Sequence, residues 1–190
     1  MECESRVAVL IRIAAVVAII CPVTFGSVAG QISQDQALAL AFSGADVERR
    51  TAYLDDDQLE EARRLAGGRV EIESTIVTHY IAHRAGNPVG VAYFDAHRVR
   101  TLQQVLMIVV EPDGSIGRVE TVSFREPPEY EAPGRWLDLF DGRVLDDRLS
   151  TRGQIPNVTG ATLTSNAVTA AVRRVLALHA VVRPFASGSL

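Results

Sequence analysis

The chain has 190 residues and a net charge of −4, which suits one domain behind a leader and gives a nucleic-acid role no support. Every basic residue apart from the four histidines is an arginine. Both cysteines, Cys3 and Cys21, lie near the N-terminus. The remainder therefore cannot build a disulfide, an iron–sulfur cluster, a thiolate zinc site or a covalent c-type haem. Redox chemistry there would fall to an organic cofactor.

Residues 1–29 read as a signal peptide or a membrane anchor. Arg6 and Arg12 precede an apolar run from Ile13 to Ile20, Pro22 and Gly26 break it, and "SVA" at 27–29 offers small residues for cleavage. Uncleaved, Val7 to Ala29 approaches the length of a span if Arg12 snorkels. Either reading places the rest, residues 30–190, outside the cytoplasm as a single domain.

That domain opens with two helices. In "SQDQALALAF", Ser33 and Gln36 have capping-box spacing and Gly44 ends the run. In "LDDDQLEEARRLAGG", Asp55 or Asp56 caps, Leu59, Ala62, Leu65 and Ala66 form the apolar side, and Gly67 stops the helix. The period then changes to two. "VEIESTIVTHYIAH" at 70–83 predicts a strand, "AGNP" at 85–88 a turn, and "VGVAYF" the returning strand. "LQQVLMIVV" at 102–110 predicts a more buried strand, joined through "EPDGS" to "IGRVETVSF". A largely antiparallel sheet of at least four strands follows, its central hairpin turning at 112–114. A short helix is expected around Trp136–Phe140, and a longer one from about Leu163 to Ala180. Val168, Ala171, Val172, Val175, Leu176 and His179 share one side of the latter, with Arg173 and Arg174 off that stripe in solvent. The fold class is α+β, a central sheet with N-terminal helices and a C-terminal helix.

"TGATLTS" at 159–165 crowds four hydroxyls ahead of that last helix. Two readings are open. Thr159, Thr164 or Ser165 caps the helix, or the helix end is an anion site, since its N–H groups are unpaired and its potential is positive. Other residues carry weaker chemistry. His79 and His83 are four apart, but on a strand rather than a helix, so no metal site is expected. Trp136 reads as a core anchor. Arg98 and Arg100 would share one side of a strand and could meet a phosphate or simply face solvent. No nucleophile elbow or Ser–His–Asp pattern is visible, so no catalytic residue is assigned.

"VTGATLTSNAVTAAV" closely resembles the C-terminal signature of FMN-binding domains, found in flavin subunits of the Rnf and Nqr respiratory complexes. The stretch from "AHRVRTLQQ" to "APGRWLDLF" resembles the flavin domains of periplasmic regulators of nitrous oxide reductase, so the likeness spans residues 46–180. It implies FMN joined through a phosphoester to Thr162, with Thr159, Gly160, Ala161, Leu163 and Thr164 around it, and Glu126 in "FREPPEY" near the strand end facing the flavin. Gly160 and Ala161 leave room for the phosphate. The family often has Asp three residues before the Ser/Thr of the motif, and Pro156 stands there, so FMN held non-covalently is the alternative to the ester. The resemblance further implies a flavin transferase for maturation, a membrane-bound redox partner, and an extracytoplasmic (periplasmic) electron carrier rather than a stand-alone enzyme. The rival is a flavin-free binding or regulatory module in which TGAT only caps a helix. The oligomeric state is not legible.

Overall fold

A computed structural model of the chain describes residues 32–186, so the leader reading of 1–29 lies outside the described residues. Two N-terminal helices are set by reciprocal capping. In α1 (Gln34–Ala41) the Ser33 hydroxyl accepts the Gln36 N–H while Gln36 returns a bond to the Ser33 N–H. In α2 (Asp56–Ala66) Asp55 and Gln58 repeat the arrangement, so Asp55 is the cap. Between them lies β1 (Asp46–Tyr53), which the sequence does not announce. "DVERRTAY" has no apolar alternation because this edge strand is largely solvent-exposed.

Four further strands follow: β2 (Ile76–Arg84), β3 (Asn87–Arg98), β4 (Gln103–Val110) and β5 (Ile116–Phe124). Each pairs antiparallel with the next, giving one five-stranded sheet in chain order. The β2–β3 turn places Ala85 and Gly86 both at positive φ, the geometry that matches strand twist. The β4–β5 hairpin turns at 112–114, closed by the Glu111 N–H on the Ser115 carbonyl at 2.8 Å. The alternation read from Val70 holds only from Ile76. Residues 70–75 are not strand, and Ile72 instead packs with Leu59, Ala62 and Ala66 of α2.

Side-chain alternation sends the sheet's two faces to different partners. Val91, Tyr93, Leu106, Ile108 and Val110 meet the long helix α4 (Thr162–Val182) through Val168, Val172 and Val175. Ala82, Ala92, Met107 and Val109 meet Ala37, Leu38 and Phe42 at the α1 end. The short helix α3 (Gly134–Leu137) and the 3-10 turn after it bring Trp136 and Phe140 into the α4-side core, ring centroids 5.4 Å apart and edge to face. Trp136 is the core anchor expected, and its indole N–H donates to the Pro156 carbonyl at 2.6 Å. Among the described residues no helix is long and apolar enough to cross a membrane.

The arginines expected in solvent are not there. Arg173 donates to the carbonyls of Ala66, Asp146 and Leu149. Arg174 pairs with Asp95 at 2.7 Å and donates to the Glu71 carbonyl. They lie off the sheet-facing stripe, but the loops that fold over α4 give that side partners, which helical periodicity cannot foresee.

Candidate functional site

Gly160 has φ +84°, and a Cβ built there meets nothing within 4 Å. The glycine is therefore demanded by backbone conformation. Ala161 is buried at 3% exposure, so its small side chain packs inward. The turn they make presents Thr162 as the first residue of α4. Thr159, Thr162 and Leu163 are exposed, Leu163 at 53%.

None of the hydroxyls caps the helix. The N-cap residue is Ala161, with no side-chain cap bond. Thr164 is fully buried and donates to the Tyr130 carbonyl at 2.6 Å. The Ser165 hydroxyl accepts the Val158 N–H and donates to the Ala161 carbonyl. Both side chains fix the loop to the helix and leave its N–H groups untouched. Among the described residues, the N–H groups of Thr162, Leu163 and Thr164 have no acceptor, and the Thr162 hydroxyl has no partner. Three open donors, a helix dipole and an exposed hydroxyl fit a phosphate ester.

Two arginines lie on segments tied to the first turns of this helix. Arg100 sits 4.5 Å above the Tyr130 ring, the residue whose carbonyl holds Thr164. It lies beyond β3, which ends at Arg98, so strand alternation does not align the two arginines as expected. The Thr151 hydroxyl donates to Asn166 Oδ1 at 2.8 Å, one helical turn past Thr162, and Arg152 follows it in the chain.

Glu126 makes no hydrogen bond to the motif. It is 7% exposed, and its Oε1 accepts the N–H groups of Arg100, Thr101 and Leu102. Those bonds, from Leu102 and Thr101 foremost, hold its carboxyl below the usual range. It shapes the β3–β4 turn and reaches the motif only through Arg100, Tyr130 and Thr164. Tyr130 was missed by sequence reasoning, because its link to the site runs through a backbone carbonyl, which no side-chain pattern announces. Beside it, burial raises the Glu131 carboxyl.

Among the described residues, no group of three or more His, Cys, Asp or Glu is placed to hold a metal ion. His79 lies buried on β2, stacked against Tyr93 at 5.9 Å.

Residues 103–177 match the FMN-binding domain family. The matched segment runs from β4 through Tyr130 and the TGAT turn to most of α4, so it contains Thr162 and Thr164. The fold is similar to that in the crystal structure of NqrC from Shewanella oneidensis, with a TM-score of 0.52 and 17% identity, covering 77% of this chain and 85% of that one. No curated protein sequence matches this chain.

Proposed function

We propose that this chain is an extracytoplasmic electron-transfer flavoprotein whose FMN is esterified to Thr162. The observation that carries the reading is the state of Thr162 within the matched segment. Its hydroxyl is exposed and unpartnered, on a helix end with three open N–H donors. A phosphodiester there keeps one negative charge, which the helix end favours by ~0.3–1 kcal/mol when exposed. The rival, in which TGAT exists to cap a helix, loses its support because no hydroxyl of the motif caps.

FMN would supply electron acceptance and donation, singly or in pairs. The chain's own residues do the holding. The N–H groups of Thr162, Leu163 and Thr164 face the phosphate, and Gly160 sets the turn that aims them. Thr164 and Ser165 lock helix to loop. The exported location rests on the leader, and maturation on a flavin transferase acting there. Electrons would pass between a membrane-bound redox partner and an extracytoplasmic acceptor. Pro156 is exposed, and its carbonyl is taken by Trp136, so the approach to the motif is set by a fixed backbone.

Intact mass of the protein made beside an active flavin transferase tests this. The expected gain is one FMN less one water. Thr162→Ala should lose that gain and all in-gel flavin fluorescence. Its stability should move by less than ~0.5 kcal/mol, since the site is exposed and Ala is a good helix former. Fluorescence that survives denaturation in Thr162→Ala would overturn the assignment.

A further inference from the structure

A groove of about 680 Å³, a size common for ligand sites, runs between the C-terminal end of α2 and residues 166–173 of α4. No residue of 158–165 lines it, so it is a separate place from the helix end at Thr162. Three guanidinium groups line it, those of Arg69, Arg152 and Arg173, and among the described residues no carboxylate does. The chain carries 23 acidic side chains against 19 basic ones, so a lining of one sign runs against its composition.

Arg173 is the fixed member. Its Nε and Nη1 are held by the carbonyls of Ala66, Asp146 and Leu149, which leaves Nη2 as its free nitrogen. A Cβ at Gly67 would lie 3.5 Å from that Nη2, so the glycine at the end of α2 leaves the nitrogen open to approach. Arg69 and Arg152 are the movable members. Both are exposed, and neither makes an ion pair among the described residues. Asn166 adds a directed donor. Its Oδ1 accepts the Thr151 hydroxyl at 2.8 Å, so its amide N–H groups are the part left to offer.

Three like charges around one space repel, and a bound anion relieves that repulsion. Guanidinium forks match phosphate oxygens two at a time. Three of them suit more than one negative charge, which a single carboxylate does not bring. We propose that this groove binds a phosphate-bearing ligand with two or more negative charges. The phosphate can belong to a small soluble molecule or to a lipid headgroup, and the chemistry at the arginines is the same. The inference does not rest on the flavin reading, since it needs nothing on Thr162.

The test uses the full chain in detergent solution with inorganic pyrophosphate and, separately, with vesicles of cardiolipin in phosphatidylcholine. Pyrophosphate should bind saturably by calorimetry, more tightly than orthophosphate, and slow hydrogen exchange at 67–70 and 150–152. Arg69→Gln with Arg152→Gln should weaken binding at least about tenfold, since each change removes a charge-assisted contact. Both side chains are exposed, so the double variant should melt with the parent. Arg49→Gln, the same charge change on exposed β1, should leave binding as it is. Binding of pyrophosphate supports a soluble ligand. Protection of the same segments by cardiolipin alone, and not by phosphatidylcholine, supports a headgroup. The inference falls if neither probe protects those segments. It falls equally if binding survives both arginine changes, because the phosphate then lies elsewhere, the open helix end at Thr162 included. An equal loss in Arg49→Gln would reduce the effect to net charge and overturn the site.

Discussion

At the scale of single residues, the motif divides its hydroxyls between chemistry and construction. Thr162 and Thr164 are two apart on a helix and so face different ways, one to solvent and one into the loop that carries Tyr130. Thr164→Val keeps the shape and leaves the Tyr130 carbonyl without its donor. That should cost ~1–3 kcal/mol, the penalty for a buried unsatisfied group, while flavin stays attached. Urea unfolding monitored by Trp136 fluorescence measures the first and in-gel fluorescence the second. A Thr164→Val variant as stable as the parent would mean the 2.6 Å bond contributes nothing net. The sequence made the motif itself legible, since its residues are contiguous. It could not separate cap from attachment point, because that depends on a carbonyl 34 residues away. Glu126 was legible as a residue that matters, but its partners are N–H groups, which every residue except proline carries.

At the scale of elements, what could be read was whatever had one clear period. β4 and β5 alternate between two buried faces, and their hairpin was placed to the residue. β1 could not be read, because a strand exposed on an edge has no reason to alternate. The C-terminal end of α4 shows how an element's own stripe can carry a pH response. His179 continues the apolar stripe, and its Nδ1 shares a hydrogen bond with the Tyr93 hydroxyl at 3.0 Å. Burial, with His79 nearby, depresses it to about 4, while burial also raises the Tyr93 phenol. The unfolded chain takes up that proton near pH 6.5 and the folded one only near 4. Stability is therefore full above pH 6.5 and falls as pH drops towards 4, by about 3 kcal/mol from this group. His179→Gln has no imidazole to protonate, so its melting temperature should fall less between pH 7 and 4. Parallel thermal melts check this, and equal slopes for parent and variant would assign the acid sensitivity elsewhere.

At the scale of the whole molecule, α4 is the part everything else is built around. The sheet lies under one side of it, and α2 packs against it, with Leu59, Ala62 and Ala66 clustered with Ala177 of α4. The loop from Leu145 to Leu149 closes over it. Arg173 joins these pieces: one guanidinium reaches Ala66 at the end of α2 and Asp146 and Leu149 in the loop. Composition offered no sign of this, since an arginine off an apolar stripe reads as a solvated charge. Arg173→Met keeps much of the apolar stem and removes all three bonds. Three carbonyls then lose a charged donor, each such bond being worth ~1.5–3 kcal/mol at most and less where water enters the groove. A loss of about 3 kcal/mol overall is expected. The loss should also be local before it is global. Hydrogen exchange should quicken first across 146–152 and at the C-terminal end of α2, while β4 at the sheet's centre stays protected, because its contacts do not pass through Arg173. If exchange in β4 quickens to the same degree as in the loop, α4 and its covering segments unfold as one unit with the sheet. The groove beside Thr162 could then not be reshaped without unfolding the domain.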